Sequence, residues 1–524
     1  MRKFLFIFPL LLLCFSCSKK QERNSMEQTL RLNIVDDPAS LDPGVVRSIR
    51  DITIVKHLFE GLMRADFEGN PKPALAQSVD ISEDLLTYTF KLRKAYWNNG
   101  DQITAQDFVY AWRKVLDPSS PSDYAYLLHP INKAEQARKG ECPLDEIGAK
   151  ALDDETLVVQ LKVPTPYFLD LAAFPTFFPL NHKTGLESDG KRITNGPFQL
   201  KEWTYKSALY LEKNPTYWDA NAVHLKTIAF SIINDNLTES HLFTKKELDW
   251  LGQPLSHNIA TEIIGQSKEL SGYPIAGTLW FSFNTEKEPF NEPRLRRAFS
   301  YAINREDIIK HILQGSQSVA TGPVPLFMAL KQTPYFKDGD RERSKALFEE
   351  VLAEKGCTLE NFPKICLNYP PSERNNKIAQ LVQQQWRETL GVNVELAPFE
   401  TQTYLSKVKK GSYQIGIGQW IADFNDPIAF LELFKYRNDA QTGSGMNDAA
   451  WQNETYISLL DESMVEKDPK RRHELLKKAE AILVSEMPIA PVYHYAFEYL
   501  KQPYVKNVIL SPTGTIDLKY AYKE

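Results

Sequence analysis

From residue 343 to residue 420 the hydrophobic period of the chain switches repeatedly between that of a helix and that of a strand. RSKALFEEVLAEKG (343–356) has helical spacing and stops at Gly356, and KICLNY (364–369) reads as a strand. NKIAQLVQQQWRETLG (376–391) sets Ile378, Leu381, Val382 and Trp386 on one face and ends at Gly391. VNVELA (392–397) is a strand, TYLSKVKKG (403–411) a short helix and YQIGIGQW (413–420) another strand. Helices alternating with strands in this way specify an α/β fold with a largely parallel sheet. Such sheets bind ligands at the carboxyl ends of their strands. Asp423, in QWIADFNDP (419–427), lies just past the end of the last strand.

Asp423 stands between Trp420 and Phe424. A carboxylate among aromatic side chains is costly unless a positive charge or hydrogen bonds replace its water. Asp423 is therefore a candidate receptor for a cation. A helix N-cap or a local turn is the other use for an aspartate here.

The N-terminus adds a location. Arg2 and Lys3 precede FLFIFPLLLLCFSC (4–17), an apolar run too short to span a bilayer but suited to a signal peptide. Ser16, a small residue, precedes Cys17, and the polar SKKQERNSMEQT (18–29) follows. A cysteine closing such a segment after a small residue resembles the bacterial lipobox, with Cys14 where Leu is usual. That resemblance implies a signal peptide over 1–16, lipid on Cys17 and a tether over 17–28. Cleavage further downstream, giving a free extracytoplasmic protein, is the other reading. Of the remaining cysteines, Cys142, Cys357 and Cys366, at most one pair can form, and free thiols are the simpler reading.

The rest is bounded by size and charge. With 524 residues the chain exceeds one ordinary core, so two or three domains are expected. A net charge of −5 without a basic stripe argues against nucleic acid as a partner. The phosphate-cradling loop GxxxxGK[ST] does not occur, nor do HExxH and GxSxG. Ser406–Lys409 fits SxxK and Lys183–Gly185 reads KTG, but in an order opposite to that of the penicillin-interacting serine enzymes. The histidines form no HxH or HxxxH pair. No enzyme, no metal site and no cofactor is expected, which leaves binding.

Nearer the N-terminus, LTYTFKLRKAYW (86–97) alternates as a strand, NNGD (98–101) turns, and TAQDFVYAWRKVL (104–116) is a helix capped by Thr104. These pieces belong to LAQSVDISEDLLTYTFKLRKAYWNNGDQITAQDFVYAWRKVLDP (75–118). That stretch resembles the signature of the oligopeptide-binding branch of the extracellular solute-binding family 5, lipoproteins that feed ABC importers. The likeness runs on through SLDP (40–43), HLFEGL (57–62), TNGPFQLKEW (194–203), PFNEPRLRRAFSYAINREDII (289–309), WIADFNDP (420–427) and IAPVYHY (489–495).

The resemblance implies a two-lobed periplasmic-binding-protein fold (type II, cluster C-like) with an extra inserted domain. Domain I would take 29–58, 184–270 and 504–524, domain II 59–183 and domain III 271–503. It implies capture of short peptides and delivery to an ABC permease in the inner membrane. The protein would be a monomer in the periplasm or at the cell surface, lipid-anchored to the membrane. Cell-wall (murein) peptides, or a non-peptide such as nickel or haem, remain open as ligands.

On the same resemblance Asp423 takes the peptide's α-amine. Gly277 lends backbone groups for strand addition, Trp420 and Tyr124 line the cleft, and Asp37 sits near ligand side chains. Trp420 and Tyr124 suit an ordinary core equally well, and Asp37 a solvated loop. Two basic positions of relatives are replaced here by Ile417 and Asn375, with Arg374, Lys409 and Lys410 as substitutes for receiving a carboxylate. Gly277 and Ile421 stand where relatives carry a cleft disulfide.

Processing is open to a direct check. Intact-mass measurement of detergent-extracted protein should show an acylated chain beginning at Cys17. An unmodified chain beginning elsewhere would sink the assignment.

Overall fold

The computed structural model describes residues 28–256, 259, 270–437 and 446–524. Cys17, the signal segment and the tether up to residue 27 lie outside the described residues.

Three sheets organise the molecule. In the first, Thr29–Ile34 runs parallel to Thr227–Ile232, which is followed outward by the antiparallel strands Ala208–Lys213 and Phe198–Thr204. The second is antiparallel, in the order Ala76–Ile81, Thr87–Leu92, Thr156–Gln160, Ala149–Asp153. The third has seven strands and is built on Ser271–Phe283 and Ile489–Lys501.

Local chemistry explains the element ends. Helix Ala105–Leu116 starts at Thr104, whose N–H donates to the Asp107 carboxylate at 2.9 Å in a capping box. Arg341–Lys355 stops at Gly356 (φ 63°) and Glu373–Leu390 at Gly391 (φ 72°), left-handed caps that glycine adopts without steric cost.

The third sheet departs from the largely parallel expectation. Ile365–Tyr369 is parallel to Val394–Pro398 and to the start of Ile415–Ile421, but Ser271–Phe283 is antiparallel to both its neighbours. Helix–strand alternation governs only the unit from Arg341 to Ile421. The two long strands, thirteen residues each, enter from elsewhere in the chain, and nothing in their own period fixes which way they pair.

Two large apolar cores result. One spans Leu30, Trp112, Phe198, Phe430 and Leu483. The other gathers Phe281, Phe299, Trp386, Ile417 and Tyr493. Between Ile417 and Ala422 the chain passes from the second core to the first, and Asp423 falls at that junction. Cys142, Cys357 and Cys366 are free thiols.

A buried charge cluster ties the C-terminal segment to the N-terminal helix Ile49–Leu58. Arg64 donates to both oxygens of Asp517, at 2.7 and 2.8 Å, and to Glu60 at 3.1 Å. Tyr217 and Trp218 donate to the Glu60 carboxylate at 2.6 and 2.5 Å. The Arg64 guanidinium beside it holds Asp517 well below the usual carboxylate range, against the opposing effect of burial. Asp517→Asn removes one of the two carboxylates paired with the buried Arg64 and leaves Glu60. It should therefore lower the urea midpoint, by less than a fully stranded charge would at about 3–5 kcal/mol. Because the folded-state carboxyl is depressed, its contribution is present above the ordinary carboxylate range and lost as pH falls below it. The variant should therefore lose less stability than wild type on acidification.

Candidate binding site

The site is built on the strand Ile415–Ile421, IGIGQWI. Ile415 and Ile417 are buried in the second core. The two glycines permit close packing from the other face. A Cβ on Gly416 would lie 2.9 Å from the Tyr404 hydroxyl, and one on Gly418 would lie 2.3 Å from Trp280 Nε1.

One flank of this strand is paired with Ser271–Phe283 throughout, Gly277 opposite Ile421 and Phe283 opposite Ile415. The other flank meets Ile365–Tyr369 only through Ile415 and Gly416. Ala422 N–H donates to the Ala276 carbonyl at 2.7 Å. In an antiparallel ladder bonded and non-bonded pairs alternate, so the main-chain groups of Ile417, Gln419 and Ile421 face away from Ser271–Phe283. The Ile417 carbonyl accordingly accepts from the Tyr404 hydroxyl at 2.6 Å. Gln419 and Ile421 present an open strand edge that leads to Asp423.

The loop beyond is fixed from several sides. Arg472 donates to both oxygens of Asp426, at 2.7 and 2.9 Å, and Ile428 N–H also donates to Asp426, at 2.9 Å. Phe424 stacks on Tyr167 with centroids 4.3 Å apart and planes 5° from parallel. Asp423, between these anchors, accepts a hydrogen bond from the Tyr126 hydroxyl at 2.5 Å. Among the described residues Asp423 forms no ion pair. Burial pushes its carboxyl above the usual range, and hydrogen bonds from Tyr126 and Tyr124 oppose the rise. Burial, with help from Asp423, pushes the Tyr124 hydroxyl up to about 12 and Tyr126 higher still, so both remain protonated donors.

Asp423 lines a cavity of ≈160 Å³ together with Tyr124, Phe174, Ile421, Asp170 and Lys56. Burial pushes Asp170 up to about 7 and pulls Lys56 down to about 8. Lys56 donates to Thr515 Oγ1 at 3.4 Å.

Of the residues singled out in the sequence, Asp423 and Tyr124 meet in this cavity. Trp420 is half-buried one turn of the strand away, and its Nε1 is enclosed without a hydrogen-bond partner. Gly277 lies where pairing with Ile489–Lys501 is interrupted by a register shift between Pro274 and Thr278, opposite Ile421 on its other flank. Asp37 is elsewhere, accepting from Trp203 Nε1 at 2.8 Å and from Lys206 N–H at 2.9 Å. Gly277 and Ile421, at the places of the relatives' disulfide, are direct cross-strand neighbours. Ile417 is buried, and Asn375 donates to the Pro370 carbonyl at 2.9 Å. Arg374 lies beside Tyr493 and Tyr495, whereas Lys409 and Lys410 are exposed at the end of helix Thr401–Lys409.

Tyr126, Lys56 and Asp170 went unnoticed in the sequence. Lys56 left a trace, as the one long cation in the apolar run ITIVKHLF (52–59). Tyr126 left none, because it lies in a one-turn 3-10 helix with no period to break.

Among the described residues the open strand edge thus ends at a carboxylate that forms no ion pair. Residues 70–442 match the family described as bacterial extracellular solute-binding proteins, family 5. The oligopeptide-binding protein OppA of Bacillus subtilis is 41% identical over 509 residues, covering 94% of this chain and 92% of its own. Among solved structures, the unliganded open form of the periplasmic murein tripeptide binding protein MppA superposes with a TM-score of 0.84 at 29% identity. It covers 95% of this chain and 98% of its own. Haemophilus influenzae OppA in complex with the peptide RPPGFSPFR gives a TM-score of 0.72 at 27% identity, covering 95% and 99% of the two chains.

The unpaired carboxylate carries a stability cost. A carboxyl whose folded-state value is raised weakens the fold as pH rises above the ordinary carboxylate range and costs nothing below it. Asp423→Asn should therefore raise the melting temperature of ligand-free protein at pH 7. The gain should vanish near pH 3.5. A variant less stable than wild type at pH 7 would show that Asp423 supports the fold instead.

Proposed function

This chain belongs to the bacterial extracellular solute-binding proteins, family 5, and we propose that it captures short peptides and hands them to the permease of an ABC importer. The observation that carries this reading is the open edge at Gln419 and Ile421 leading to Asp423. A peptide offers an ammonium at its start and amides at strand spacing behind it. Strand addition satisfies the amides through main-chain groups and so leaves the side chains free to vary. The ammonium loses water on enclosure, and a fixed carboxylate replaces it.

On this reading the lobes keep the division the family resemblance implies: domain I over 29–58, 184–270 and 504–524, domain II over 59–183 and domain III over 271–503. Tyr124 and Tyr126 belong to domain II, and Asp423 to domain III, so the amine receptor is assembled across the cleft. Closure of the lobes seals the ligand. The protein acts outside the cytoplasm as a monomer, held to the membrane by lipid on Cys17. Among the described residues no helix is long and apolar enough to cross a membrane. Its role is binding without turnover.

A second reading narrows the ligand to cell-wall (murein) peptides. The likeness to the murein tripeptide binding protein, with a TM-score of 0.84 for its open form and 0.73 for another structure of it, is consistent with this reading without preferring it over oligopeptides. Such a peptide also presents a free amine to Asp423.

Thermal melting against a panel of short peptides, murein tripeptide included, tests both readings. A ligand present at 100 times its dissociation constant should stabilise the protein by about 2.7 kcal/mol. Mass spectrometry should recover the peptide intact. A melting curve unmoved by the whole panel counts against both readings, and cleaved peptide counts against simple binding.

A further inference from the structure

We propose that Tyr126 is the positioning residue of the amine receptor, its hydroxyl holding Asp423 ionised and aimed before a ligand arrives. The proposal rests on Asp423 receiving an ammonium, as argued above.

The geometry is direct. Tyr126 donates to Asp423 Oδ2 at 2.5 Å across 297 residues of sequence. Its turn is rigidly seated, with Ala125, Leu127 and Leu128 buried around it. Tyr124, on the same turn, packs edge-on against Phe174 at 5.1 Å and lies 6.1 Å from the Tyr126 ring. Tyr126 itself keeps 44% of its surface exposed, so its place is not explained by core packing.

The choice of donor matters chemically. An ammonium or guanidinium here would satisfy Asp423 and close the site to a ligand's cation. A phenol supplies one hydrogen bond and no charge. It engages one carboxylate oxygen and leaves other lone pairs for the three N–H groups of an incoming ammonium. Hydrogen bonding to the charged form is what keeps a desolvated carboxyl ionised.

The other charged groups nearby do not take over this work. Tyr124 faces Asp423 from the same turn, and the Arg47–Asp123 pair, at 2.7 Å, flanks Tyr124 from the exposed side. Lys56 and Asp170 line the same cavity from helix Ile49–Leu58 and helix Phe168–Leu171. The charges that act on Lys56 are Asp517 and Arg64, and those that act on Asp170 are Asp426 and Arg472.

The test is Tyr126→Phe, which removes the hydroxyl and keeps the ring. Calorimetry with tri-alanine and N-acetyl-tri-alanine is run from pH 5 to pH 8 on wild type and variant. The ratio of variant to wild-type Kd cancels the titration of the peptide itself. For tri-alanine the ratio should be about tenfold or more at pH 5 and fall toward one by pH 8. For the acetylated peptide it should stay near one throughout. A ratio of one at every pH, or a loss independent of pH, overturns the proposal and assigns Tyr126 a packing role or none. If wild type does not prefer the free amine, the amine reading fails and the proposal with it.

A ligand-free arm is independent of peptide choice. The drop in melting temperature caused by Tyr126→Phe should grow from pH 4 to pH 7. It should lose that pH dependence in an Asp423→Asn background. The same pH dependence without Asp423 would overturn the proposal.

Discussion

The site depends on one desolvated carboxylate kept without a countercharge. Asp423 follows the crossing from one apolar core to the other and sits between Ala422 and Phe424 of the first, so it is largely removed from bulk water. Hydrogen bonds from Tyr126 and Tyr124 offset part of the desolvation, and the remainder is available to a ligand's cation. The surrounding anchors serve the same end. The Arg472–Asp426 pair and the Phe424–Tyr167 stack fix the loop, so the carboxylate is not free to swing into solvent. Preorganisation of this kind lowers the ordering cost of binding.

On the proposed reading, specificity for a chain rather than a small cation would come from the strand edge. Glycines at 416 and 418 admit Tyr404 and Trp280 where any larger residue would clash. The free flank of the strand repeats donors and acceptors every second residue, which is the spacing of an extended peptide backbone. Lys56 and Asp170 add a second polar region to the lining of the cavity that Asp423 shares.

Legibility in the sequence followed locality. Caps and periods are written in adjacent residues, so helix 105–116 with Thr104, and the stops at Gly356 and Gly391, were readable directly. Asp423 was readable because an acid between Trp420 and Phe424 breaks the local rule. Strand pairing is non-local, and the antiparallel course of Ser271–Phe283 was not readable from its own alternation. Tyr126 was hidden for the same reason, since its meaning lies in a contact 297 residues away. Asp37 shows the same non-locality: its hydrogen bonds from Trp203 and Lys206 come from residues far along the chain, which DDPASLDP does not announce.

The most direct measurement is a double-mutant cycle by calorimetry, pairing wild type and Asp423→Asn with a free-amine peptide and its N-acetyl form. If the carboxylate receives the amine in a buried pair, wild type should favour the free peptide by roughly 10²–10³-fold or more, from about 3–5 kcal/mol for stranding one partner. The variant should show little preference, giving a large coupling energy. Equal binding of both peptides by wild type, or an undiminished preference in Asp423→Asn, would contradict the central claim.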